Sequence, residues 1–217
     1  MVVILLITAF AGFAPTYYFA GLTSAKLPAP VVHVHAVLQS TWMLLLLVQM
    51  VLVSAKRVPL HRQLGIAGFL LAAAMVVVAE MVVANQLHRL ASQGDYRLSY
   101  SMIPQGEVFN FAILAGSAFA LRRNPAAHKR LIVLATVAMM PAAIVRIPVE
   151  LIEQWLRWEV LAFVVALAAY DIWSIRRIHA ATLIGAALIS AYLFGAWPIG
   201  QTAAWHAVAR WMQSWNL

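Results

Sequence analysis

Long apolar runs separated by short polar connections make up most of the chain. Between Val31 and Ser54 there is no Lys, Arg, Asp or Glu, and a helix of that length crosses a bilayer core of about 30 Å. The same apolar pattern recurs and predicts seven membrane helices, at about 2–22, 31–54, 65–87, 104–121, 131–151, 157–175 and 181–197. We therefore predict an all-α fold, a polytopic helix bundle whose membrane domain covers residues 1–199.

The remaining residues, 200–217, carry a separate amphipathic pattern. Helical spacing puts four of their large apolar side chains on one face: Trp205, Val208, Met212 and Trp215. Tryptophan prefers the headgroup level of a bilayer, which predicts an interfacial helix on the outer side of the membrane. A frayed end of the seventh membrane helix is the alternative.

Positive charge is concentrated in alternate connections between the apolar runs. Nine of the 15 Lys and Arg residues follow the second, fourth and sixth predicted helices: Lys56, Arg57, Arg62, Arg122, Arg123, Lys129, Arg130, Arg176 and Arg177. Cytoplasmic loops of membrane proteins are enriched in Lys and Arg. We therefore predict that these three loops and the N-terminus face the cytoplasm, and that the C-terminus lies outside.

Composition agrees with a membrane protein. The chain is 64% hydrophobic and 10% charged, whereas soluble domains contain about 25% charged residues. The formal net charge of +8 does not indicate nucleic-acid binding, because the basic residues lie in the loops that membrane topology makes basic. The absence of cysteine from the sequence excludes disulfides, iron–sulfur clusters and zinc–thiolate sites.

A polar stripe runs along the second predicted helix. Residues three and four apart share a helix face, so one face carries His35, Gln39, Trp42, Leu46 and Gln49. His33 points to nearly the opposite side. Lipid cannot hydrogen-bond polar side chains, so the stripe is expected to turn inward. This predicts that His35, rather than His33, lies in the interior of the bundle.

Charged residues also occur inside predicted membrane helices, where each costs several kcal/mol unless it is paired or hydrated. The residues are Glu80, Glu107, Arg146 and Glu150, and Asn110 shares a face with Glu107. Arg146 and Glu150 lie four apart and can pair. All fall in the outer half of the bundle, at the level of His35. They predict a polar ligand pocket, and the alternative is an ion-pair network that only holds the helices together.

Two further patterns concern packing. Small residues recur four apart, as in Ala162 and Ala166, and such pairs are typical of close helix approach in membranes. Asp171, near the inner end of the sixth predicted helix, is expected to pair with Arg176 or with another cation of the loops.

Histidines open the helices that follow the three basic loops. The segment Arg57-Val-Pro-Leu-His61-Arg-Gln-Leu64 is similar to Arg123-Asn-Pro-Ala-Ala-His128-Lys-Arg-Leu131, and His179 opens a fainter third copy. These histidines are candidate cofactor ligands. The alternative is that they are amphipathic residues favoured at the headgroup interface.

The run His35-Ala36-Val-Leu38, followed by Trp42, Lys56-Arg57, His61 and Leu64-Gly65, resembles the membrane core of cytochrome b561-type proteins. The chain is still more similar to uncharacterised bacterial multi-pass families that carry His-Arg-x-Leu-Gly and His-Lys-Arg-Leu at helix starts. The resemblance covers about residues 31 to 135. It implies a multi-pass protein of the bacterial inner membrane.

In the cytochrome b561 pattern, four successive helices supply two bis-histidine sites for haem b. The resemblance implies that His61 and His128, both at cytoplasmic helix ends, share one haem. His35 matches the ligand on the first of the four helices, but the matching stretch of the fourth, 105–111, contains no histidine. His88 is the nearest substitute. Without it, the outer site becomes a metal or small-molecule pocket formed by the outer-half charges.

Four functions agree with these patterns. The first is a membrane carrier of electrons that holds haem b, and the second is a small-molecule binder or transporter with a polar pocket in its outer half. The third is an accessory subunit of a membrane complex, and the fourth is a metal-dependent membrane enzyme. The expected partners are the lipid bilayer and either another membrane subunit or a second copy of the chain.

Overall fold

The computed structural model describes residues 1–22, 28–147 and 152–215, without the side chains of 152–154. Every regular element in this part of the chain is helical. The α-helices in chain order are α1 (Val2–Phe13), α2 (Pro30–Ser54), α3 (Val58–Arg89), α4 (Gly94–Ala120), α5 (Pro125–Ala138), α6 (Pro141–Ile144), α7 (Ile152–Ile175), α8 (Ala180–Gly200) and α9 (Ala203–Gln213). A π-helical segment, Ala14–Tyr18, continues α1.

Five stretches of the described residues are long and apolar enough to cross a membrane. They are Pro30–Ser54, Val58–Arg89, Pro125–Ile144, Trp155–Ile175 and Ala180–Gly200. The first helix with its π-helical end, Val2–Tyr18, is apolar but shorter. These helices confirm the predicted all-α membrane bundle in its general form. The number of seven spans stays a prediction.

The fourth helix differs from the sequence prediction at its start. It was expected to begin near Pro104, after a loop at 88–103, but α4 begins at Gly94 and contains Pro104 in its interior. Gly94 adopts a φ of 59°, a left-handed conformation that glycine reaches without strain. Proline inside a helix is tolerated in membrane bundles, because neighbouring helices can satisfy the backbone groups that it frees.

The predicted fifth helix, 131–151, also differs in the structure. Helix α5 begins earlier, at Pro125, and ends at Ala138, and the short helix α6 follows from Pro141. Proline lacks the N–H that would continue the hydrogen-bond ladder of α5, which explains the interruption. The end of the predicted range, 148–151, lies outside the described residues.

Helix α4 lies at the centre of the bundle. It packs against α3, α5, α8 and α9, and its side chains Leu114 and Ala118 are completely or almost completely buried. In this central position, other helices rather than lipid surround the polar groups of α4. On the periphery, α2 packs on α3, and α1 packs on α6.

The three basic connections meet at one end of the bundle, which we call the basic end. There Asp171 of α7 pairs with Arg130 of α5, with Arg130 Nη2 and Nε 2.5 and 2.8 Å from Asp171 Oδ1. Asp171 Oδ2 accepts from the Thr182 hydroxyl at 2.6 Å and from the His179 backbone N–H at 3.0 Å. The predicted pairing of Asp171 with a loop cation is confirmed, and the partner is Arg130 rather than Arg176.

Helix α9 covers the opposite end of the bundle. Its buried residues Trp205, Ala209 and Met212 pack with the ends of α3 and α4. Trp205 Nε1 donates to the Leu98 carbonyl at 2.9 Å. Of the predicted apolar face, Trp205 and Met212 are buried in this contact, whereas Val208 is 43% exposed. Helix α9 is therefore held against the ends of α3 and α4 by buried side chains and by the Trp205 hydrogen bond. That this face lies at the membrane interface stays a prediction.

Candidate functional site

The side chains of Glu107 and Tyr192 meet in the bundle, between α4 and α8. The Tyr192 hydroxyl donates to Glu107 Oε1 at 3.2 Å. Gly106 makes this approach possible, because a Cβ at this residue would lie only 2.4 Å from Tyr192 Cδ2. The Tyr192 ring therefore lies against bare backbone, and its hydroxyl reaches the carboxylate of the next residue.

An arginine lies near this carboxylate without pairing with it. The Arg146 guanidinium is close enough to act electrostatically on both Glu107 and His35. It is exposed, donates to the carbonyl four residues earlier, and lies 5.0 Å from the centre of the Phe13 ring. Within the described residues it forms no ion pair, and its predicted partner Glu150 lies outside them. Its charge is therefore available to a ligand.

His35 faces the same region from α2. It is half-buried, and its Nδ1 is buried with no hydrogen-bond partner among the described residues. His33 is exposed and its Nδ1 lies 3.0 Å from the Tyr17 hydroxyl. Of the two histidines, His35 is thus the interior one, in agreement with the helical-face argument. Gln39, one turn further along α2, is also half-buried.

The outer-half charges do not all contact one another. Glu80 of α3 accepts a hydrogen bond at 2.6 Å from Gln105 Nε2, whereas Glu107 bonds with Tyr192 of α8. Gln105 and Glu107 are two residues apart, so they point to different faces of α4. The predicted pocket is therefore divided between the α3 side and the α8 side of this helix.

Two buried amide oxygens of α4 have no partner within the described part of the chain. They are Gln105 Oε1 and Asn110 Oδ1. The amide group of Asn110 donates to the Gly106 carbonyl at 3.0 Å. Gly106 directly follows Gln105, so both unpaired amide oxygens lie in the same part of α4. An unsatisfied buried polar group costs about 1–3 kcal/mol. The middle of α4 can therefore accept hydrogen bonds from water or from a ligand.

The candidate haem ligands lie together at the basic end. His61 of α3 and His128 of α5 are close enough to act on each other electrostatically. His128 Nδ1 lies 2.9 Å from the Ala118 carbonyl, which fixes the ring and leaves Nε2 free. His61 Nδ1 is buried without a partner in the described ranges. A histidine ligand usually has one ring nitrogen held by a hydrogen bond while the other binds the metal, and among the described residues His128 has such a hydrogen bond whereas His61 does not.

Two other histidines do not belong to this pair. His88 is exposed in the last turn of α3, and its role as a substitute ligand opposite His35 stays a prediction. His179 is the N-cap of α8, and its Nδ1 accepts from the Ala181 backbone N–H at 3.1 Å. The third copy of the sequence repeat is thus a helix cap. Among the described residues, no three His, Asp or Glu side chains cluster closely enough to hold a metal ion.

Sequence reasoning missed the residues that shape the Glu107 site. Gly106 and Tyr192 were not singled out, and Gln105 was noted only for not being a histidine. A glycine beside an acid in a membrane helix is a weak signal, and the tyrosine lies 85 residues away in sequence. Only the packing of α4 on α8 connects them.

Comparison with known proteins gives no match, since no family model, no curated protein and no solved structure is similar to this chain. The protein has the helices of an integral membrane protein, with a carboxylate and a tyrosine paired between its central helix and α8.

Proposed function

We propose that this protein is a membrane carrier that binds a small polar molecule beside Glu107. One observation carries the proposal. The Glu107 carboxylate lies between the central helix α4 and the membrane-length helix α8, and within the described residues its only hydrogen bond comes from Tyr192. Ionisable groups inside a membrane bundle cost stability, and those with few structural partners mark ligand or ion pathways.

The surrounding groups indicate the chemistry of the ligand. Glu107 and the free oxygen of Asn110 accept hydrogen bonds, which suits a molecule with N–H or O–H donors. Arg146 supplies an exposed positive charge near the same carboxylate, which suits an anionic group. A small molecule that carries both donors and an anionic group, as an amino acid does, satisfies both features.

The test is ligand binding by the purified protein in lipid nanodiscs. Its melting temperature is measured in the presence of each of the twenty amino acids and of a set of dicarboxylates, polyamines and hexoses. We expect at least one class to raise the melting temperature of the wild type, because a ligand that binds only the folded state stabilises it. Uptake of the stabilising compound into proteoliposomes then tests transport.

The matched variants are Glu107→Gln and Glu80→Gln. Both replace an interior carboxylate by an amide of the same shape, but Glu80 bonds with Gln105 on the α3 side of α4, away from Tyr192 on the α8 side. We expect stabilisation by the ligand to disappear in Glu107→Gln and to persist in Glu80→Gln. Equal ligand stabilisation of both variants and the wild type would contradict the proposal, as would the absence of stabilisation by every compound.

A second candidate function is electron transfer by haem b, held by His61 and His128. It is supported by the hydrogen bond between His128 Nδ1 and the Ala118 carbonyl and by the proximity of the two imidazoles. A haem would supply one-electron chemistry at this end of the bundle. His128 would hold the iron through Nε2, and the Ala118 carbonyl would orient its ring.

An absorption spectrum tests the haem proposal. The protein is expressed with added haem precursor and purified, and a Soret band is expected in the wild type but not in His61→Ala or His128→Ala. His33→Ala is the control, because His33 is exposed and bonds with Tyr17 away from this pair. The absence of a Soret band from the wild type would end the haem proposal and leave the Glu107 proposal intact.

We also propose that the basic end faces the cytoplasm of a bacterial inner membrane. Nine of the 15 basic residues lie in the three connections at this end or in the first two turns of the helices that follow them, and the positive-inside rule gives the orientation. Reporter fusions after Leu60, Pro125 and Ile178 are expected to report a cytoplasmic location. A periplasmic signal from any of the three would overturn this topology.

A further inference from the structure

A lateral cleft opens between α1, α5 and α7, away from both sites described above. Its volume is about 1030 Å³, at the upper end of the range of about 300–1,000 Å³ for small-molecule pockets. Most of its lining is apolar, and Ala162 and Ala166 in this lining are exposed. No residue of α3 or α4 lines it, so it is independent of Glu107 and of His61.

Small residues keep this cleft open. Ala162 and Ala166 of α7 were expected to allow close helix packing, but both line the cleft. Helix α1 instead packs tightly on α6, where a Cβ on Gly12 would lie 2.0 Å from the Ala143 carbonyl oxygen. Because α1 is fixed against α6, it leaves the small face of α7 uncovered by protein in the described residues.

The two ends of the cleft carry opposite charge. Lys129 lines the basic end, where its Nζ lies 5.5 Å from the centre of the Tyr170 ring. The nearby carboxylate of Asp171 is already used by Arg130 and two further donors. Lys129 is exposed and has no ion pair within the described residues. It is therefore free to bind an external anion.

The other end of the cleft disfavours an anion. Glu159 lines it, three helical turns from Tyr170 along α7, which corresponds to about 16 Å. An occupant with a negative headgroup is attracted to Lys129 and repelled by Glu159. Between these charges, the alanine face of α7 offers an apolar surface. This polarity matches an anionic lipid whose headgroup lies at the basic end and whose chains run along α7.

We propose that the cleft is a binding site for an anionic phospholipid of the leaflet at the basic end. The lipid phosphate pairs with Lys129, Tyr170 lies at the headgroup level, and an acyl chain packs on Ala162 and Ala166. Basic pockets between membrane helices bind anionic headgroups in this way, and aromatic residues prefer this depth. A helix of a second copy would instead bury Lys129 and Glu159 without a partner, so the charges favour the lipid.

The test measures lipid retention by native mass spectrometry. The delipidated protein is titrated with phosphatidylglycerol or with phosphatidylcholine that carries the same acyl chains. We expect one phosphatidylglycerol to remain bound preferentially and Lys129→Gln to weaken its binding about fivefold. Arg62→Gln is the control, because Arg62 is exposed at the same end but lies on α3 and does not line the cleft. This variant should retain the lipid as the wild type does.

A second variant tests the apolar part of the site. Ala166→Phe fills the cleft and should reduce the binding of both lipids, while inorganic phosphate should not displace phosphatidylglycerol from the wild type. Equal retention by Lys129→Gln and the wild type would overturn the proposal, as would equal binding of the two lipids. A lipid-free dimer that Ala166→Phe dissociates would show that a second copy occupies the cleft instead.

Discussion

Two carboxylates inside this bundle differ in their burial and in the number of their hydrogen-bond partners. Asp171 is fully buried and receives hydrogen bonds from Arg130, from Thr182 and from the His179 backbone. Glu107 is half-buried and, among the described residues, receives one hydrogen bond, from Tyr192. Asp171 joins α5, α7 and α8 at the basic end. Glu107 leaves most of its hydrogen-bonding capacity unused in the middle of α4.

The number of hydrogen-bond partners separates a charged residue that stabilises the fold from one that is available for function. A buried ion pair with all its partners present holds helices together and has nothing left to offer a ligand. A carboxylate that lacks such partners costs stability, and proteins keep such costs mainly where function needs them. The number of partners, rather than burial alone, therefore distinguishes the two acids.

The largest effect is expected at the structural acid. Asp171→Asn leaves Arg130, which is 2% exposed, as an uncompensated buried charge. Removal of one partner of a buried pair costs about 3–5 kcal/mol. We expect a strong fall in the melting temperature in detergent and low expression. A melting temperature equal to that of the wild type would show that the pair is hydrated.

The next effect concerns two arginines whose expected roles are exchanged in the structure. Arg97 falls between the third and fourth helices that the sequence predicts, in a connection, and Arg146 is predicted to pair with Glu150 inside the bundle. Arg97 is instead 8% exposed and donates from Nη2 to Gln86 Oε1 at 2.7 Å, whereas Arg146 is exposed. Arg97→Ala should therefore cost about 1.5–3 kcal/mol, the contribution of a charged hydrogen bond.

The same melting experiment on Arg146→Ala supplies the comparison. This variant should melt close to the wild type and should lose ligand stabilisation, because Arg146 acts on Glu107 and has no ion pair within the described residues. If Arg146→Ala melts lower than Arg97→Ala, Arg146 is a structural residue. The distinction between structural and functional charges would then fail at this residue.

A somewhat smaller effect is expected at Gly106. In Gly106→Ala the new Cβ would lie 2.4 Å from Tyr192 Cδ2, so the ring must move away from Glu107. Overpacking of this kind costs about 1–3 kcal/mol. Gly116→Ala is the control, since a Cβ there meets no atom within 4 Å. Loss of ligand stabilisation in Gly106→Ala but not in Gly116→Ala would support a ligand site formed by Glu107 and Tyr192. Equal melting temperatures of the two variants would count against it.

The smallest effect concerns the hydrogen bond between Trp42 and Thr136. Trp42 Nε1 donates to Thr136 Oγ1 at 3.2 Å and ties α2 to α5. A double-mutant cycle of Trp42→Phe and Thr136→Val should give a coupling of about 0.5–1.5 kcal/mol in stability and no effect on ligand binding. A loss of binding in both single variants would extend the functional site to this pair.

The sequence alone could predict features that depend on neighbouring residues. Apolar runs predict the membrane helices, and helical spacing predicts that His35 rather than His33 lies inside. Charge in the loops predicts that Asp171 pairs with a loop cation. These predictions succeed because residues close in the chain decide them.

Features that depend on packing between distant segments could not be predicted. Arg97 is buried because α4 continues back to Gly94 and α9 covers its end, whereas Gly94 and Pro104 are residue types typical of loops. Tyr192 meets Glu107 only because α8 packs against Gly106. Glu80 and Glu107 point to different faces of α4, so their similar depth did not bring them together. The sequence predicts how far along a helix a residue lies. It does not predict which other helices pack against each face of that helix.

The most direct test of this account compares the melting temperatures of Glu107→Gln and Asp171→Asn in the same detergent. Each variant replaces a carboxylate with its amide and keeps the shape of the side chain. We expect Glu107→Gln to melt at or above the wild-type temperature, because glutamine is neutral and still accepts from Tyr192, and we expect Asp171→Asn to melt far below it. An equal, large fall in both variants would contradict the account, since it would make Glu107 a structural acid like Asp171.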